Sequence, residues 1–134
     1  MPQLLLHHVS ILTTNVERSL GFYRDIFGLV PLPRPDFPIG GAWLQCGDRQ
    51  IHLVAHAPGT FRTGDIDNND THFAFRTDDF EGVVRMLEAA GFSEHAPEGD
   101  PKRIMMKRTG AAGFAQLYVL DPDRNVVEVN AAPL

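Results

Sequence analysis

Apolar and polar positions alternate along residues 5–12, which predicts a strand carrying His8 with Val9 on the opposite face. The period then lengthens: Val16, Leu20, Tyr23 and Phe27 fall at helical spacing, with Phe22 and Ile26 widening the stripe. Thr14 or Asn15 is placed to cap this helix over 16–27, and Gly28 to end it. A proline-rich stretch over 31–38 must stay extended. Residues 42–46 and 50–54 read as a hairpin turned at Gly47 and Asp48.

From Asp70 the same order returns. Residues 71–76 form a strand, Asp78 or Asp79 caps a helix over 80–90 with Val83, Val84 and Leu87 inward, and Gly91 stops it. Strands follow over 104–108, 115–120 and 126–130, the last two joined by an AspProAspArgAsn turn. His8 and His72 lie 64 residues apart, and Gly28 and Gly91 lie 63 apart. That shared offset predicts two copies of one β-α-β-β-β unit. The strand missing from the first copy is assigned to 29–32. The expected fold class is α+β: two tandem βαβββ modules. Module one spans about 1–57, the linker about 58–69 and module two about 70–134. The linker is long enough to be either a plain connector or a loop that covers a substrate.

Composition narrows the class of protein. A chain of 134 residues, 43% hydrophobic and 22% charged, can bury one good core. The formal charge of -5 and dispersed basic residues argue against nucleic acid as a partner. A single cysteine, Cys46, rules out an intrachain disulfide and a cysteine-based zinc cluster. No apolar run approaches the roughly 20 residues of a membrane span, and the N-terminus lacks the pattern of a signal peptide. The expectation is a cytoplasmic protein with no membrane partner.

Four residues stand out as potential metal ligands, each in a largely apolar strand: His8, His52, His72 and Glu128. Their neighbours Val9, Ile51, Leu53, Phe73, Val127 and Val129 belong to the opposite, core-facing side. Three imidazoles and a carboxylate suit Zn, Ni, Fe, Co or Mn. His52 is read either as a fourth ligand or as a cleft histidine that touches substrate or orients a ligand. Tyr118 and Gln116 share the face opposite Leu117 and Val119, so Tyr118 is either an oxyanion donor or a tyrosine paired across strands. His7 has the opposite parity to His8 and is read as facing away. Trp43 and Phe37 are read as core packing in preference to a pocket wall. Of Arg103, Lys107 and Arg108, at least two are expected to be solvated charges.

The stretches HisHisValSerIleLeu, PheTyrArgAspIlePheGlyLeu, GlnIleHisLeu, ThrHisPheAlaPhe and LeuAspProAspArgAsnValValGluVal, in this order, resemble the vicinal oxygen chelate superfamily. That superfamily includes glyoxalase I, extradiol dioxygenases and bleomycin-binding proteins. The resemblance implies modules that curl a mixed sheet into a metal-binding cleft, with a divalent metal held by His8, His72 and Glu128 and His52 at a position that varies across the family. It implies a homodimer whose sites take ligands from both chains, acting on a small molecule that chelates through adjacent oxygens. Glyoxalase-type lyase, isomerase or epimerase chemistry is the leading expectation, with Glu128 as base and Tyr118 as its catalytic companion. A non-haem Fe(II) extradiol-type dioxygenase is the second. A non-catalytic protein that sequesters an antibiotic-like molecule is the third.

Overall fold

The computed structural model describes residues 1–133, and Leu134, the last residue of the predicted second module, lies outside the described residues. The order of elements is β1 (His8–Thr13), α1 (Val16–Leu20), a π-helical segment (Gly21–Ile26), β2 (Val30–Leu32), β3 (Gly41–Cys46) and β4 (Arg49–Ala55). The second half follows with β5 (His72–Arg76), α2 (Phe80–Ala89), β6 (Met105–Lys107), β7 (Gln116–Leu120) and β8 (Val126–Asn130). The strands make two four-stranded mixed sheets, ordered β1-β4-β3-β2 and β5-β8-β7-β6. In each, the first strand pairs in parallel with the last, and the remaining neighbours are antiparallel. The repeat predicted from the 64-residue offset is therefore a repeat of topology. The two sheets belong to two compact units, divided between Thr60 and Phe61.

Local chemistry explains most of the boundaries. Asn15, not Thr14, caps the first helix, its side chain accepting from the Arg18 N–H at 3.0 Å. Asp79, not Asp78, caps the second by accepting from Gly82 at 2.9 Å. Gly28 and Gly91 close the helices with φ of 72° and 92°, a region open to glycine at little cost.

The first helix departs from the uniform α-helix expected over 16–27. From Gly21 its turns widen, and Phe27 N–H bonds back to the Phe22 carbonyl, five residues earlier. Phe22 and Tyr23 are both buried on this segment, with ring centroids 4.8 Å apart.

The second half of the segment predicted as a linker packs onto the second unit. Ile66 is buried in a cluster with Tyr118, Leu120 and Val126. Arg62 pairs with Asp70 at 2.6 Å, Asp65 pairs with Arg103, and Arg124 donates to the Gly64 carbonyl. These contacts fasten residues 62–70 to the second unit.

Gly41 marks a close approach within the first sheet. A Cβ there would lie 2.2 Å from the Leu53 carbonyl oxygen and 3.0 Å from Arg34 Nη2. The carbonyl belongs to the central strand and cannot yield without shifting the β3–β4 ladder. Gly41→Ala should cost about 2–3 kcal/mol in urea unfolding, the range of overpacked sites. A loss under about 0.5 kcal/mol would show that this sheet edge relaxes freely.

Candidate metal centre

Each sheet brings two of the four predicted ligands together, by the same diagonal. In the first, His8 lies opposite Gln50 and Ser10 opposite His52. In the second, His72 lies opposite Val126 and Ala74 opposite Glu128. The second ligand thus sits two residues beyond the first one's partner in both. An aromatic residue faces it from the middle strand: Trp43 opposite His52, and Tyr118 opposite Glu128. Within neither unit do three histidine, cysteine or acidic side chains gather in metal-binding geometry among the described residues.

The second-sheet pair is the more tightly arranged. Glu128 is 6% exposed, so its carboxylate depends on partners rather than water. Its Oε1 accepts from Gln116 Nε2 at 2.9 Å and Asn130 Nδ2 at 3.2 Å. Its Oε2 faces His72 Nε2 at 3.1 Å. His72 Nδ1 is 2.7 Å from the Asp70 carbonyl, which can only accept, so Nδ1 carries the proton. In a neutral ring Nε2 then presents a lone pair to a carboxylate oxygen. Such a contact requires a metal cation bound by both atoms or a proton shared between them. The donor set and its outer contacts fit a divalent metal, because a ligating histidine usually gives its other N–H to a carbonyl.

The first-sheet pair is a stack. His52 lies between Trp43 (ring centroids 4.4 Å apart, 10° between planes) and His8 (3.9 Å, 13°). Its Nε2 is 2.8 Å from Gln50 Oε1, leaving Nδ1 as the nitrogen with a free lone pair. Burial, reinforced by neighbouring His8, His7 and Arg34, pushes the His52 imidazole below its ordinary value. A neutral ring is the form that ligates metal. His8 Nδ1 is 3.0 Å from His7 Nδ1, which leaves His8 Nε2 uncommitted.

A comparison with known proteins decides the family. A model of the Glyoxalase/Bleomycin resistance protein/Dioxygenase superfamily matches residues 5–129. The chain belongs to this superfamily. It is 31% identical over 127 residues to "Glyoxylase I 4" of Arabidopsis thaliana, covering 92% of this chain and 68% of that one. It is 34% identical over 88 residues to a manganese-dependent 2,3-dihydroxybiphenyl 1,2-dioxygenase of Geobacillus genomosp. 3, which is 63% of this chain and 25% of that protein. In fold it is similar to the lactoylglutathione lyase of Agrobacterium tumefaciens, with TM-score 0.70, 21% identity, and 98% and 96% of the two chains covered.

Against this superfamily frame, several sequence expectations change. His7 does not face away. It precedes β1, where strand parity no longer governs, and its ring meets His8 edge-on at 5.3 Å and His52 at 6.5 Å. Trp43 stacks on a candidate ligand, and Phe37, 46% exposed, is not core. Tyr118 is buried; burial first, and then the Glu128 charge, raise its phenol above the ordinary value. It therefore keeps its proton at neutral pH. His56 and His95 are exposed. Arg103 is tied to Asp65, and Arg108 to Glu81 at 2.6 Å and Glu94 at 3.0 Å. Gln50, Asn130 and the Asp70 carbonyl were missed. The first two lie two residues from a ligand on the same strand face, so alternation alone could have found them.

Proposed function

We propose that the protein is a metal-dependent enzyme of glyoxalase type, a lyase, isomerase or epimerase acting on a small molecule with adjacent oxygens. One divalent ion, of Zn, Ni, Fe, Co or Mn, would take His8 and His52 from a first module and His72 and Glu128 from a second, in a homodimer. The observation that carries this reading is the pair His72 Nε2 and Glu128 Oε2, which face each other 3.1 Å apart while Nδ1 is committed to Asp70. When bound, such an ion acts as a Lewis acid toward oxygen, worth several kcal/mol to a developing negative charge.

The protein's own groups then divide the proton chemistry. Glu128 Oε2, once exchanged off the ion for a substrate oxygen, would accept the proton from the carbon next to a carbonyl and return it to the neighbouring carbon. Oε1 stays on Gln116 and Asn130, which fix the plane of the carboxylate. Tyr118, protonated and beside Glu128, donates a hydrogen bond to the substrate oxygen on which charge develops.

A specific observation supports a second reading, a dioxygenase resting on two histidines and one carboxylate. His52 Nε2 is already engaged with Gln50 and its ring is held between Trp43 and His8, so it can serve as a spacer beside the ligands. Elemental analysis of untagged protein purified without chelator tests both readings. About one ion per chain supports the metal reading; its loss in His52→Ala supports four ligands and glyoxalase-type chemistry. Retention of iron or manganese in His52→Ala, with oxygen consumption on a catechol, supports the dioxygenase. Protein that takes up no divalent metal on reconstitution would leave sequestration of a small molecule as the function.

A further inference from the structure

The register of the second sheet places a complete row of hydrogen-bond donors one step from Glu128. Arg76 of β5 lies opposite Asn130 of β8, Asn130 opposite Gln116 of β7, and Gln116 opposite Lys107 of β6. By strand alternation this row shares the face of His72, Glu128 and Tyr118. It reads guanidinium, amide, amide, ammonium across four strands, with no carboxylate in it. With strands about 4.8 Å apart, its ends are close enough for two long side chains to converge on the amides.

Neither cation has a carboxylate partner among the described residues. Arg76 donates to the Pro133 carbonyl at 2.6 Å. Lys107, half-buried, places its ammonium 5.6 Å over the Tyr118 ring. This sets Lys107 apart from Arg103 and Arg108, both of which are consumed by ion pairs. A half-buried lysine whose ammonium lies over a tyrosine that touches Glu128 is placed towards this face of the sheet, beside the ligand pair. Both amides donate to Glu128 Oε1; the second N–H of Gln116 goes to the Tyr118 hydroxyl at 3.3 Å, and Asn130 keeps a further N–H.

We infer that this row is an anion-binding ledge, with Lys107 its charged contact, and that the substrate carries a carboxylate or phosphate beside its chelating oxygens. The link to turnover rests on the proposed enzyme reading, but anion binding itself is measurable without it. The side-chain amide resonances of Gln116 and Asn130 should be followed by NMR in chloride-free buffer, on zinc-loaded and on metal-free protein. Succinate and inorganic phosphate serve as probes. A saturable shift of both amides is expected, weakened about tenfold in Lys107→Met and kept within about twofold in Lys107→Arg. Arg76→Met should weaken it less.

A response to succinate alone assigns a carboxylate, and a response to phosphate alone assigns a phosphate ester. No saturable shift with either anion, or a Lys107→Met protein that binds as well as the wild type, overturns the ledge. Failure of the enzyme reading would appear separately, as absence of bound metal, and would leave the titration of the metal-free protein fully informative.

Discussion

Glu128→Gln should stay folded yet lose divalent-metal affinity by about 100-fold, the upper end of what removal of even an outer partner of a metal site costs. The expectation follows from how the carboxylate is held. Gln116 and Asn130 both donate to Oε1, so the replacement amide must turn its oxygen to that side. Its NH₂ group then points at His72. Because His72 Nδ1 is committed to the Asp70 carbonyl, the new amide donates to the Nε2 lone pair. The substitution therefore removes one candidate ligand and occupies a second, while leaving every buried polar group satisfied. Stability should fall by less than about 1 kcal/mol. Glu128→Ala would strand the Gln116 and Asn130 donors and open a gap, mixing folding with ligation, so Gln is the sharper probe. Competition for Mn(II) or Zn(II) against a chromogenic chelator reads the affinity directly. Wild-type affinity and wild-type turnover in Glu128→Gln would remove this residue from both of its proposed roles.

Much of this arrangement was legible in the chain because strand alternation is local. The parity of His52 against Ile51 and Leu53, and of Glu128 against Val127 and Val129, separates ligand face from core face without knowledge of pairing. The Gly28 and Gly91 stops and the second helix were legible for the same reason. What could not be read depends on register or on tertiary packing. Nothing in sequence sets Trp43 against His52, or lines up Arg76, Asn130, Gln116 and Lys107, since each requires knowing which strands pair and by what offset. The π-helical segment was hidden too, because 3.6-residue periodicity accommodates Val16, Leu20 and Tyr23 either way. His7 was misjudged by extending strand parity one residue past the start of the strand.

The equivalence of the two ligand pairs makes a second large effect predictable. Each module offers two donors by the same register diagonal, and two donors alone make a weak site for an ion that prefers at least four contacts. If the proposed homodimer completes each site with module one of one chain and module two of its partner, His8→Ala and Glu128→Gln protein should each lose metal in pure form. Mixed after dissociation and allowed to reassociate, they should regain it. In a mixed dimer one site combines both defects, while the other combines an intact module one with an intact module two. Random reassociation gives mixed dimers half the time, so about a quarter of wild-type sites should return. If both pairs act within one chain, every site keeps a defect and mixing restores nothing. Metal content of the mixed sample, measured after gel filtration to remove free ion, separates the two cases. Recovery would also bind catalysis to assembly: dilution that dissociates the dimer would then empty the site, and activity would fall with protein concentration as well as with chelator.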